Sequence, residues 1–190
     1  IGIKKHMTMM ALITFGCSPE PVIKACYEYG VEPLANLKPI NIINNTKIFI
    51  NGNWIGIHYD PPFLVKMLRL LRRNGLINIF TSISWDIKQN EIHLLTDGGR
   101  LCRPLYVMNN NKLLVKDAIV NGLKENKIDW SNLISGFKKK SIDFSYYNCE
   151  YLCPLTEGYD SENMLKDLQK NSAVIDYLDT DESSSAMILN

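Results

Sequence analysis

The chain has 190 residues, 46% of them apolar and 22% charged, with a formal net charge of +1 at pH 7. This composition is typical of one or two folded domains and excludes a largely disordered chain. No run approaches the roughly 20 apolar residues that a membrane helix needs, and the basic and apolar N-terminal stretch lacks a signal-peptide cleavage site. Because the sequence opens on isoleucine, directly before an apolar run, we expect it to be part of a longer polypeptide.

The net charge hides an asymmetry between the two ends of the chain. Residues 157–190 carry eight acidic residues against two lysines, a net charge of −6, which leaves +7 for residues 1–156. A polyanionic partner would therefore meet the first four-fifths of the chain.

The cysteines and histidines predict neither a disulfide framework nor a metal site. Five scattered cysteines are an odd number, which favours a reducing compartment. Cys149 and Cys153 have ligand-like spacing, but a structural zinc needs four ligands and no second pair lies nearby. His58 and His93 alternate with apolar residues in strand-like runs, so we predict that both lie on exposed strand faces.

The first 45 residues predict a strand, a helix and a connecting loop. Residues 7–15 form a short apolar run typical of a buried strand. Ser18 and Pro19 predict the start of a helix that ends at Gly30. Residues 33–45, rich in proline and asparagine, read as a loop.

Residues 46–108 predict a compact α+β unit. Two β-rich runs flank Asn51 and Gly52, the residue pair that favours a type I′ hairpin turn. Asp60 then caps a helix that ends near Gly75. Opposite its apolar stripe this helix carries Lys66, Arg69, Arg72 and Arg73. These residues form either a solvated face or contacts to nucleic-acid phosphates.

Further strands are predicted at 81–87, 91–97 and 104–108, and the pattern then weakens. Helices are predicted within 112–125, after Asp129 or Ser131, and from Ser161 to Lys170. Residues 173–178 resemble a strand, and the acidic stretch 179–185 resembles a loop.

The stretch 96–107, TDGGRLCRPLYV, leaves two interpretations open. Gly98, Gly99 and Arg100 could surround a phosphate with backbone N–H groups and a guanidinium. The alternative is a tight turn that needs positive φ, with Arg100 and Arg103 in structural ion pairs. No sequence signature of nucleophilic catalysis is present.

The same stretch resembles the T-D-x-G-R-x-x-R-P-L signature of the second-largest subunit of multisubunit DNA-directed RNA polymerases of eukaryotes, archaea and large DNA viruses. Other family motifs follow in the family's order. GIKKHMTMMALITFG and SPEPVIKACYEYGVEPL resemble the fork region and its following helix. KIFINGNWIGIHYDPPFLVKMLRLLRRNGLIN resembles the external domain, and SAVIDYLDTDESSSAMI resembles the next module.

The resemblance implies an α+β fold of mixed small sheets with packed helices, as a fragment of a larger multidomain subunit. It implies the end of a fork/lobe-type region over 1–45 and an external 2-like domain over 46–110. A connecting module with an acidic C-terminal part would follow over 111–190.

The resemblance also implies function. The whole complex would be a nucleotidyltransferase that makes RNA on a DNA template, whereas this segment alone would not be catalytic. Mg²⁺ would be held mainly by the largest subunit, with no cofactor here. Partners would be other polymerase subunits, DNA, RNA and nucleoside triphosphates, in the nucleus or, for a large DNA virus, in the cytoplasm or virion.

Site residues follow from the same family motifs. Lys5, with Lys4 as its companion, would face nucleic acid. The remaining motif residues would be structural: Asn51, Gly52, Asp97, Gly98, Gly99, Arg100, Arg103 and Pro104. A different class of function stays open, namely a stand-alone, non-catalytic binding module that keeps the external-domain fold.

Overall fold

The computed structural model describes residue 2, residues 6–137 and residues 161–185, without the side chains of 161–164 and 167. Lys4, Lys5, Cys149, Cys153 and the lysine-rich stretch 138–140 therefore lie outside the described residues. The strands are β1 (Leu12–Ile13), β2 (Glu32–Pro33), β3 (Thr46–Ile50), β4 (Asn53–His58), β5 (Ser82–Asp86), β6 (Glu91–Leu95), β7 (Leu101–Tyr106), β8 (Met108–Asn109), β9 (Lys112–Leu113) and β10 (Ile175–Asp179). The helices are α1 (Glu20–Glu28), α2 (Pro39–Ile43), α3 (Pro61–Arg73), α4 (Asp117–Lys124), α5 (Trp130–Ser135), α6 (Ser161–Lys170) and α7 (Thr180–Ser185).

A five-stranded sheet forms the centre of the chain, in the order β2-β4-β3-β6-β5. The pairs are antiparallel except for β3 and β6, which run parallel because α3 and β5 intervene between β4 and β6. Asn51 and Gly52 join β3 to β4 with φ values of +48° and +82°. Both values are positive, as a type I′ turn requires.

The main core lies between this sheet and two helices, α1 and α3. Leu64, Leu68 and Leu71 of α3 are fully buried against Ile48 and Ile92 of the sheet. Burying each such side chain contributes about 1.5–3 kcal/mol. The core is thus built from residues 22–94 without help from the C-terminal part.

Local signals fix both ends of α3. The Asp60 carboxylate accepts a hydrogen bond from the Phe63 N–H at 3.2 Å, which satisfies a backbone donor left free at the helix start. Two prolines occupy the first turn, where no N–H is needed. Gly75, with φ of +66°, ends the helix as predicted.

A three-stranded antiparallel sheet, β1-β7-β10, joins distant parts of the chain. The chain leaves the five-stranded sheet after β6, passes through Gly98 and Gly99, and becomes the central strand β7. This sheet therefore joins one strand from each of the three predicted segments 1–45, 46–110 and 111–190, with β1 and β10 both paired to β7. A smaller apolar cluster, centred on Leu133, Val174 and Ile175, packs α5 against β10.

The α+β class is confirmed, whereas three local predictions are wrong. Residues 7–15 contain only the two-residue β1. Apart from Thr14 they are not buried, since Met9 is 101% and Phe15 84% exposed. The predicted loop over 33–45 contains the end of β2, a 3-10 turn (Leu34–Asn36) and α2. The predicted acidic loop over 179–185 is the end of β10 followed by α7.

Candidate functional site

Gly98 and Gly99 mark a close crossing of two backbone segments. Gly99 has a φ of +82° and donates its N–H to the Thr14 carbonyl at 2.8 Å. A Cβ at Gly98 would lie 2.8 Å from the Gly16 nitrogen. The N-terminal segment thus occupies the space beside the glycines, and the geometry is that of a tight turn rather than of a phosphate-binding loop.

Asn51 connects the hairpin turn to this crossing. Its side chain donates to the Thr96 hydroxyl and accepts from the Thr96 N–H, both at 2.8 Å. Its own N–H donates to the Leu94 carbonyl at 2.9 Å. The turn residue therefore holds the end of β6, from which the Asp97-Gly98-Gly99 stretch departs.

Arg100 links three separate parts of the chain. Its guanidinium donates to the carbonyls of Asp97 (2.9 Å) and Phe80 (2.7 Å) and to the carboxylate of Asp179 (2.8 Å). Such a planar fork of five donors suits this task better than a lysine. Arg100 ties the turn to β10 and to the loop before β5.

Arg103 and Pro104 differ from Arg100 in their surroundings. Arg103 is exposed on β7, opposite Leu178 of β10. In the part of the chain that the structure describes, its guanidinium makes no ion pair or hydrogen bond. The predicted structural ion pair is therefore found for Arg100, whereas Arg103 points to open surface. Pro104 lies opposite Tyr177.

The basic residues of α3 face the acidic C-terminal segment. Arg72 is 1% exposed and donates to both oxygens of the Glu182 carboxylate, at 2.5 and 2.9 Å, and to the Thr81 carbonyl. Arg73 donates twice to Asp176, at 2.8 and 2.6 Å. Arg72 therefore neither forms a solvated face nor contacts nucleic acid. We call Arg72, Arg73, Arg100, Asp176, Asp179 and Glu182 the arginine–carboxylate clasp.

Hydrogen bonds complete the acidic side of the clasp. The Glu182 carboxylate also accepts from the Ile83 N–H at 3.2 Å, and Asp179 accepts from the Ser82 hydroxyl and the Glu182 N–H at 2.8 Å each. Buried charges are tolerated when they are paired and hydrogen-bonded in this way. The clasp fastens β10 and α7 to α3 and β5.

Electrostatics within the clasp favour the charged forms. Burial opposes ionisation of Asp176, but the neighbouring Arg72 and Arg73 outweigh it and hold the pKa of Asp176 below its usual range. Burial acts likewise on Asp179, and hydrogen bonds from the Glu182 N–H, Arg100 and Ser82 lower its pKa. Burial alone would lower the pKa of Arg72, but the charges of Glu182 and Asp176 outweigh this effect, so the pKa is raised above its usual value.

The histidine predictions require a correction. His58 is buried, not on an exposed strand face. Its Nδ1 accepts from the Asp60 N–H at 2.9 Å, so its Nε2 carries the proton and donates to the Tyr29 carbonyl at 3.0 Å. His93 is half-exposed and stacks on Phe49, with ring centroids 5.1 Å apart.

The described ranges offer no assembled metal centre. Across residues 6–137 and 161–185, no group of three or more His, Cys, Asp or Glu side chains could hold a metal ion. The carboxylates of Asp176, Asp179 and Glu182 are instead occupied by arginines. Among the same residues, no helix has the length and apolar character to cross a membrane.

Comparison with known proteins agrees with this architecture. The family model for RNA polymerase Rpb2, domain 4, matches residues 48–109, which include the last three residues of β3, the strands β4 to β8 and α3. Subunit RPB2 of DNA-directed RNA polymerase II from Encephalitozoon cuniculi is 42% identical over 137 residues, or 72% of this chain and 12% of the relative.

The chain belongs to the second-largest subunits of DNA-directed RNA polymerases. RNA polymerase II subunit 2 of Arabidopsis thaliana is 36% identical over 70% of the chain, and RNA polymerase III subunit RPC2 of Saccharomyces cerevisiae is 31% identical over 80%. The chain spans about one eighth of the length of these relatives. The motif-based family assignment is therefore confirmed.

Sequence reasoning missed the clasp, although a signal for it was present. The +7 charge of the first 156 residues and the −6 charge of the remainder are complementary. A contact between α3 and the acidic segment would bring these opposite charges together. Helical periodicity placed Arg72 opposite the apolar stripe, and it could not show that a second element covers that face.

Proposed function

We propose that this chain works within the second-largest subunit of a nuclear DNA-directed RNA polymerase. The complex would join nucleoside triphosphates into RNA on a DNA template. The observation that carries the proposal is the match to second-largest subunits over 70–80% of the chain. Other polymerase subunits, above all the largest, are its proposed partners.

The chain's part in that enzyme is structural and not catalytic. The clasp supports this role because its carboxylates are engaged by Arg72, Arg73 and Arg100. We infer that Mg²⁺, which stabilises the charge of the transferred phosphoryl group in such reactions, binds outside this chain, mainly on the largest subunit.

Lys5, with Lys4 beside it, is the proposed nucleic-acid contact. Both precede the exposed segment that leads into β1, and the motif around them supports this placement. A lysine at such a position acts as a point charge on phosphate and reads no base sequence. Loss of one such contact should reduce the slope of log affinity against log salt by about 0.9 on duplex DNA.

Purification of the tagged full-length gene product tests the proposal. We expect it to co-purify with a largest polymerase subunit and to support template-dependent RNA synthesis. A full-length product that stays alone, folds cooperatively and binds one discrete partner would overturn the polymerase assignment and favour the stand-alone binding module.

The lysine contact needs a separate measurement in the assembled enzyme. Lys5→Gln should weaken template binding and reduce its salt dependence, whereas Lys112→Gln, on exposed β9, should change neither. Equal effects of the two substitutions would contradict the assignment of Lys5.

A further inference from the structure

An open groove of about 720 Å³ lies beside the outer face of the three-stranded sheet. Its floor includes Leu101 and Arg103 of β7 and Leu178 of β10. The segment from His6 to Ala11 forms one wall, and Thr180, Ser183 and Ser184 of α7 form the other. The groove stays open because β1 pairs with β7 only at Leu101 and Cys102, and the chain just before β1 forms a turn between Thr8 and Ala11 instead of pairing further along β7.

The five arginines of the chain divide into two kinds. Arg69, Arg72, Arg73 and Arg100 each lie within 4 Å of a carboxylate of the C-terminal segment. Arg103, alone among the five, has no carboxylate partner in the described ranges 6–137 and 161–185. The guanidinium group, which binds carboxylates elsewhere in the chain, is thus presented to the groove with its donors available.

The apolar lining around Arg103 adds a second requirement for any occupant. Leu101 is 43% and Met7 53% exposed, and Ile13 beside them is 58% exposed. Contiguous apolar surface of this kind marks a site for a protein partner.

We propose that this groove binds a segment of a partner protein that places an aspartate or glutamate carboxylate on Arg103. Apolar side chains flanking that acid pack on Leu101, Met7 and Leu178. The carboxylate receives the paired N–H donors of the guanidinium, as Glu182 does from Arg72. The proposal rests on the proposed function only in that the partner is another polypeptide of the polymerase.

Zero-length cross-linking in the purified polymerase tests the contact. A carbodiimide joins an amine to a carboxylate that touches it and does not react with a guanidinium. The Arg103→Lys variant should therefore yield an isopeptide link to an Asp or Glu of another polypeptide. The wild type and Arg103→Gln should lack this link when the digests are compared by mass spectrometry.

Three outcomes would overturn the proposal. One is an assembled Arg103→Lys enzyme without any link from position 103. Another is a link confined to carboxylates of the same polypeptide, inside or outside residues 1–190, which would make Arg103 part of an intrachain ion pair. A third is a loss of template binding in Arg103→Gln, which would assign the groove to nucleic acid. Failure of the proposed function is distinguishable, because the gene product would then co-purify with no polymerase subunit.

A second readout follows the groove itself in the assembled enzyme. Arg103→Gln should speed amide exchange of residues 101–106 about ten-fold, since it removes hydrogen bonds to a charged partner. Lys112→Gln, an exposed cation on β9, should leave that exchange unchanged. Exchange that is equally fast in the wild type and in Arg103→Gln would contradict an occupied groove.

Discussion

The two sheets of this chain differ in how much of their apolar surface the chain covers by itself. The five-stranded sheet has one face packed under α1 and α3, with Leu68, Ile48 and Ile92 fully buried. The three-stranded sheet leaves Ile13, Leu101 and the neighbouring Met7 exposed. One sheet is thus a self-sufficient core, whereas the other is half of an interface.

The arginine–carboxylate clasp connects these two regions. Arg72 extends from the helix that covers the larger sheet, and Glu182 follows the last strand of the smaller sheet. Their pairing is buried, with side chains 2% and 1% exposed. The smaller sheet is thus held in place by the buried ion pairs of the clasp, whereas its outer face is left for a partner.

Removing the acidic end of the clasp should have the largest effect. Glu182→Ala removes both hydrogen bonds from the buried Arg72 guanidinium to its main counter-charge and leaves only Asp176, 3.6 Å away, which costs about 3–5 kcal/mol. The free energy of unfolding, measured with urea, should fall by that amount. Glu125→Ala breaks the exposed pair with Lys127 and should cost at most about 0.5 kcal/mol. Similar losses for the two variants would contradict a buried clasp.

Truncation of apolar side chains should destabilise the chain strongly at the five-stranded sheet and hardly at all beside the three-stranded sheet. Leu68→Ala empties a fully buried site and should cost about 2–5 kcal/mol. Met9→Ala alters a fully exposed side chain and should change the unfolding free energy by less than about 0.5 kcal/mol. If Met9→Ala destabilised the isolated chain as much as Leu68→Ala, the outer segment would belong to the core.

The glycine crossing between the sheets should tolerate no side chain. Gly98→Ala places a Cβ against the Gly16 backbone, and the forced shift should cost about 1–3 kcal/mol. Gly99 has open space around its Cβ position but a φ of +82°, so Gly99→Ala should cost about 1–2 kcal/mol of backbone strain. Thermal unfolding of both variants measures these costs, and an unchanged midpoint for Gly98→Ala would contradict the close approach.

Acid should loosen the clasp without mutation, as the mildest perturbation. The pKa of Asp176 is lower in the folded chain than in the unfolded chain. Its stabilising contribution is therefore complete above the unfolded value, about 3.9, and is lost as the pH falls through the folded value. Urea midpoints measured from pH 6 to pH 2 should show this loss.

Asp176→Asn is the variant that isolates the acid effect. It should be less stable than the wild type at pH 6, and the difference should shrink towards pH 2. Asp117→Asn, at the exposed start of α4, serves as the matched control. A stability difference that is constant over this pH range would contradict the role of Asp176.

Local features of the larger sheet could be predicted because neighbouring residues cause them. Asn51 and Gly52 specify their turn by backbone conformation alone, and Asp60 caps α3 within three residues. Gly75 ends that helix for a similarly local reason. The family motifs added the assignment to RNA polymerases, which local propensities could not provide.

Features that depend on distant contacts could not be predicted in the same way. Arg72 and Glu182 are separated by 110 positions, and nothing in either neighbourhood identifies the other. The run 7–15 is apolar enough for a buried strand, but apolarity does not show what covers it. His58 was misplaced because alternation in β4 gave no sign of the Tyr29 carbonyl above it.

Hydrogen exchange in the isolated chain and in the assembled polymerase tests the contrast between the two sheets most directly. We expect the amides of residues 7–15 to gain protection in the assembly, while those of β3, β6 and α3 are equally protected in both. Unchanged exchange of residues 7–15 on assembly, or a gain in protection throughout the five-stranded sheet, would contradict the account.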